Sequence, residues 1–173
     1  MLLENTYGIV QSNYKFKIET HPANFVNSPY YDKLTEIYRS LENHRGFKDI
    51  TKAKTLPNCD FYMPKDNFVL EFDETQHFTL PRKIALEHYP KELKLGFDRT
   101  KWITLCKKID AKDNNPPFRD EQRAWYDTLR DFLPELITLR PTVRVFSRDF
   151  EWCSLDPTKP QDVAKFKLYA NLF

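Results

Sequence analysis

The segment from Asp60 to Asp73 constrains this chain more than any other. Asp60-Phe61-Tyr62-Met63 and Phe68-Val69-Leu70-Glu71-Phe72-Asp73 read as strands, and Pro64-Lys65-Asp66-Asn67 between them is turn chemistry, so the whole reads as a β-hairpin. A turn of two or four loop residues sets Met63 opposite Phe68, Phe61 opposite Leu70 and Asp60 opposite Glu71. Side chains alternate along a strand, so Asp73 shares a face with Glu71, while Phe61, Leu70 and Phe72 take the other face and can be buried. Cβ atoms of facing residues lie ~5 Å apart, and two carboxylates at that separation destabilise each other unless something cationic lies between them. A divalent metal is the natural occupant. The run containing Glu71 is almost continuously apolar, as in the centre of a sheet, where an unpaired acid is expensive. That context favours a functional pair over two solvated edge acids. Oxygen-only ligation suits Mg²⁺ or Mn²⁺, which keep positions for water and phosphate and so serve phosphodiester hydrolysis.

Around the hairpin the chain alternates helices and strands. Ser28-Pro29 offers a helix start, and Leu34, Ile37, Tyr38 and Leu41 recur at helical spacing, which predicts a helix over about 29–43. Pro81 opens a second helix over about 82–94, and Phe118, Gln122, Trp125, Leu129, Phe132 and Leu133 mark a third that ends near Pro134. Alternation in Tyr14-Lys15-Phe16-Lys17-Ile18 predicts a strand, as does the β-branched and aromatic run 142–146. Residues 101–106 fit a strand or a helix start equally, and a short helix is expected near 161–171.

With 173 residues, 40% of them hydrophobic, the chain suits one packed domain, 1–173. Its 27 basic and 25 acidic residues nearly cancel, so any surface for nucleic acid has to be local. Cys59, Cys106 and Cys153 form no Cys-x-x-Cys pair, which argues against a zinc knuckle or a disulfide framework and for reduced thiols. The N-terminus has no secretory pattern and no stretch approaches a membrane span, so the expectation is a soluble, cytoplasmic protein with no membrane partner.

The string Cys59-Asp60-Phe61-Tyr62-Met63-Pro64, then Val69-Leu70-Glu71-Phe72-Asp73 and Gln76-His77-Phe78, resembles the PD-(D/E)XK restriction-endonuclease-like superfamily, and within it the branch related to very short patch repair endonucleases. About twenty residues carry the likeness closely, with a looser echo in Asp120-Glu121-Gln122-Arg123 and Val143-Arg144-Val145-Phe146. It implies an α/β fold with a mixed central β-sheet flanked by α-helices, an insertion at about 80–116, and a Mg²⁺-dependent endonuclease acting on nucleic acid, DNA in preference to RNA. It further implies Asp60 as a metal ligand, Glu71 as a second ligand or water-positioning acid, and the Phe72 carbonyl as a third ligand. Asp73 stands where the superfamily has lysine, which the branch resembled also lacks, and Asp73, Gln76 and His77 are the catalytic substitutes, Gln76 and His77 foremost, expected to position water and move protons. Glu36 on the first helix is the place for another acid, although its helical projection favours a solvated residue. Arg82, Lys83, Arg123 and Arg144 are the candidate phosphate contacts, and a homodimer or a larger defence or repair complex is the expected assembly. The rival readings are a nuclease fold that binds nucleic acid without cutting it, and a protein-interaction domain presenting its surface Tyr and Phe residues.

Overall fold

Four short strands carry the sheet, and two of them form the hairpin. The computed structural model describes residues 2–169. The strands are β1 (Gln11–Tyr14), β2 (Cys59–Met63), β3 (Phe68–Asp73) and β4 (Val143–Phe146), and the helices are α1 (Leu2–Tyr7), α2 (Tyr31–Arg45), α3 (Leu80–Glu87), α4 (Arg99–Ile109), α5 (Arg119–Ile137) and α6 (Pro160–Tyr169). The order across the sheet is β1-β2-β3-β4; the first two pairings are antiparallel and β3 runs parallel to β4. The chain is therefore α/β with a mixed sheet, and the crossover from β3 to β4 carries α3, α4 and α5. Among the described residues, no helix is long and apolar enough to cross a membrane.

The hairpin has the expected register, with Met63 facing Phe68 and Phe61 facing Leu70. The four-residue turn closes with the Asn67 N–H donating to the Met63 carbonyl at 2.7 Å. Alternation then sorts the sheet's two faces. Met63, Phe68, Leu70, Val143 and Val145 pack with Leu3, Leu155 and Phe166 beneath α1 and α6. Val69 and Phe146 join the larger core formed with α2 to α5, where Leu34, Ile37, Leu41, Trp125, Leu129 and Phe132 are fully buried. Glu71, Asp73 and Arg144 belong by the same alternation to the α5 side.

Several elements differ from the sequence expectation, each for a local reason. The strand expected at 14–18 lies earlier, at Gln11–Tyr14; the alternating residues beyond it stay outside the ladder, with the rings of Tyr14 and Phe16 packing on Tyr62 at 4.9 and 5.1 Å. The second helix begins at Leu80, capped by Thr79 Oγ1 on the Arg82 N–H, and stops at Glu87 ahead of Pro90, which cannot continue it. Residues 101–106 are helical because Asp98 caps the Thr100 and Lys101 N–H groups and starts α4. Gly96 just upstream lies so close to β4 that a Cβ would stand 2.7 Å from the Thr142 carbonyl. Helix α5 runs through Pro134 to Ile137. Proline deprives the Arg130 carbonyl of its helical donor, and the Thr142 hydroxyl donates to that carbonyl instead, at 2.7 Å. The tail helix covers 160–169, and positions 170 and 171 of the expected one lie outside the described residues.

Candidate active site

At the open end of the hairpin, side chains replace the backbone ladder. The Asp60 N–H donates to Glu71 Oε1 at 3.3 Å, and the Phe72 N–H donates to Asp60 Oδ2 at 2.7 Å. These reciprocal bonds hold the two carboxylates against each other, Asp60 half-buried and Glu71 buried. The second oxygen of each carboxylate accepts no hydrogen bond among the described residues. A strand residue presents its N–H and C=O on the same edge, so the Phe72 carbonyl also lies on the Asp60 side.

Asp60, Glu71, Phe72, Gln76 and His77 all line one cleft of about 840 Å³. Its apolar lining includes Leu70, Val145, Trp152 and Phe166. Gln76 and His77 are on a 3₁₀ turn, Thr75–His77, directly after β3. Gln76 is exposed and donates to Glu74 Oε2 at 2.9 Å, while its carbonyl accepts from Arg123 at 3.0 Å. His77 Nδ1 lies 3.0 Å from Asp127 Oδ2 and 3.6 Å from Asp73 Oδ1. Burial opposes protonation of the imidazole, but Asp127 and Asp73 outweigh it and raise the His77 pKa above its usual value of 6.5.

Arg130 of α5 is the cation nearest to Glu71, with Nε 3.4 Å from Oε1. Burial pushes the Glu71 carboxyl up to about 7, and Arg130 and Arg144 pull it only part of the way back. Sequence reasoning missed the role of Arg130. Its signal was the i, i+3 spacing from Asp127, which puts both on one side of α5 beside the apolar stripe.

The remaining candidates divide sharply. Asp73 does not line the cleft: it is 1% exposed, and its two oxygens accept from Arg144 Nη1 and Trp102 Nε1, each at 2.6 Å. Arg144, expected at a nucleic-acid surface, is buried between Asp73 and Asp131, with Nε 2.7 Å from the latter. Arg82, expected there too, is also buried, bonded to Asp131 at 2.6 Å and Tyr89 at 2.8 Å. Neither can reach a phosphate, because β4 and α3 turn both into the interior. Asp120, Glu121, Asp127 and Asp131 are also buried, because α5 is enclosed by the sheet and its neighbouring helices. Helices α3 and α4, in the segment that the resemblance treats as an insertion, supply Arg82 and Trp102 to this ionic cluster. Lys83 pairs with Glu87 on α3, and Arg123 pairs with Asp113; neither lines the cleft. Glu36 pairs with Lys33 on α2, also away from the cleft.

Among the described residues, no group of three or more His, Cys, Asp or Glu side chains is arranged as a metal site. The donors at the cleft are two carboxylates and a main-chain carbonyl, a hard oxygen set that suits an ion taking one or two carboxylates and completing its shell with water. No protein-family model matches the chain, nor does any characterised protein or solved structure.

Proposed function

We propose that this chain is an endonuclease of restriction-endonuclease-like fold that hydrolyses phosphodiester bonds, those of DNA in the first place. The observation that carries the reading is the facing pair of Asp60 and Glu71 at a cleft, with Glu71 buried and only partly compensated. A folded chain keeps such an acid at a cost that function can explain. The mixed sheet and its flanking helices agree with the fold, and DNA is preferred on the resemblance alone.

Asp60, Glu71 and the Phe72 carbonyl would hold Mg²⁺ or Mn²⁺, which when bound activates water and neutralises charge on the phosphodiester. The protein's own groups supply the rest. His77 directs Nδ1 at Asp127, an arrangement that orients the ring and leaves Nε2 to take or give a proton at the cleft. Gln76, exposed beside it, is placed to orient water or a phosphate oxygen. Asp73 works at one remove, holding Arg144 and helping to fix His77.

Purified protein should nick or degrade DNA with Mg²⁺ or Mn²⁺, and Asp60→Ala should abolish this. Undiminished cleavage by that variant, or by the native chain in EDTA, would sink the assignment. A second reading, a nuclease fold that binds nucleic acid without cleaving it, draws on Asp73 standing in the lysine place with both oxygens committed to Arg144 and Trp102. Such a module would show no rise in melting temperature with Mn²⁺.

A further inference from the structure

We infer that Arg130 is the positioning residue of this site, setting the separation of Asp60 and Glu71 and with it the affinity for a divalent cation; the inference rests on the nuclease reading above. One guanidinium touches Glu71, Asp127 and the two carbonyls that lead into β2. Its Nη2 donates to the carbonyls of Pro57 and Asn58 at 3.4 and 3.0 Å, the residues that lead into β2, so it fixes where the strand carrying Asp60 begins. Its Nη1 lies 3.3 Å from Asp127 Oδ1, and the other oxygen of Asp127 holds His77. Its Nε faces Glu71 Oε1 at 3.4 Å.

That Nε is buried and has no hydrogen-bond partner among the described residues. Glu71 Oε1, the acceptor within reach, is engaged by the Asp60 N–H instead. Buried donors are nearly always paired, and an unpaired one calls for an explanation. Here Glu71 is held toward Asp60 in preference to satisfying Arg130, which keeps the acid pair together with a positive charge behind it. The arginine is itself anchored, since its carbonyl takes the Thr142 hydroxyl at the point where Pro134 interrupts the helical bonding. Lysine could supply the charge but not the fork that spans two carbonyls and two carboxylates.

The test is Arg130→Lys in the full chain, read by hydrogen exchange of the Asp60 and Phe72 amides without metal, and by Mn²⁺ affinity from calorimetry. Arg45→Lys is the control, because Arg45 also pairs with α5, bidentate to Glu121 at 2.6 and 2.5 Å, but does not line the cleft. The expected result is faster exchange at those two amides and Mn²⁺ binding weaker by at least about tenfold in R130K, with neither change in R45K. Wild-type exchange or wild-type affinity in R130K overturns the inference. If R130K does not fold, Thr142→Val releases the Arg130 carbonyl and should show both changes in lesser degree; unchanged values there overturn it equally. A native chain with no Mn²⁺ affinity removes the nuclease reading and the cation half of the inference together, while exchange still decides whether Arg130 positions the acids.

Discussion

Glu71 and Asp73 are two residues apart on one strand, point to the same side of the sheet and are almost equally buried, at 3% and 1% exposure. Their partners differ. Asp73 has a guanidinium and an indole N–H at 2.6 Å, so both oxygens are satisfied and its charge is matched. Glu71 has one amide at 3.3 Å and one poorly aligned guanidinium at 3.4 Å, and burial raises its pKa to about 7. Burial alone therefore does not separate an architectural acid from a chemical one; completeness of pairing does. The surrounding cluster makes the same point in charge. Four carboxylates, Glu71, Asp73, Asp127 and Asp131, meet three guanidinium groups, Arg82, Arg130 and Arg144. Acids thus outnumber guanidinium groups, and Glu71 and His77 are the two groups here whose pKa values are raised.

The comparison breaks most visibly at Arg144. Replacing it with methionine leaves Asp73, Asp127 and Asp131 without their shared cation, and losing one side of a buried ionic cluster costs about 3–5 kcal/mol. Urea unfolding at pH 7 should show a loss of that size. A loss under about 1 kcal/mol would mean that Asp73 is as loosely held as Glu71.

Glu71→Gln sharpens the contrast in the opposite direction. The folded pKa of about 7 stands above the ordinary value of 4.5, so the protonated acid favours the folded state. Its contribution is fully present below pH 4.5 and is lost as pH rises through 7, beyond which the native chain carries a buried charge. The neutral variant should gain about 3 kcal/mol over wild type above pH 7 and nothing near pH 4.5, measured by unfolding across that range. Asp73→Asn, by contrast, should destabilise throughout, because it removes a charge that is already matched.

A cation should erase part of this difference. Mn²⁺ at a hundredfold excess over its dissociation constant adds about 2.7 kcal/mol to the folded state, a rise of several degrees in melting temperature. Asp60→Asn should cancel that rise with little effect on stability without metal. A full rise in the variant would place the ion elsewhere.

The hairpin and its facing acids were legible because two local rules converge there: turn chemistry sets the register, and alternation then assigns every side chain to a face. What escaped was the pairing of charges distant in sequence. Arg144 and Asp73 are separated by 71 positions, and Arg82 and Asp131 by 49, so helical spacing showed each charge without its partner. The general expectation that charged residues lie at the surface then assigned the two arginines to phosphate contacts. Arg130 escaped for the same reason, since its partners Glu71, Pro57 and Asn58 are distant in sequence and leave no trace in periodicity. Residues 101–106 were ambiguous because the deciding feature, the Asp98 cap, lies outside the apolar pattern itself.

The smallest expected effect falls on His77, at the junction of the two regimes. Its imidazole contacts Asp127 and Asp73 of the matched cluster, yet it lines the same cleft as Glu71. Removing it in His77→Gln costs one charge-assisted hydrogen bond, about 1.5 kcal/mol, where the ring is protonated. The folded pKa is raised, so the advantage of the native chain is fully present below the ordinary pKa of 6.5 and is lost as pH rises through the higher folded value. Unfolding of both chains from pH 5 to 9 should therefore show curves that converge upward in pH. Curves that diverge instead would mean that desolvation outweighs the two carboxylates and holds the ring neutral.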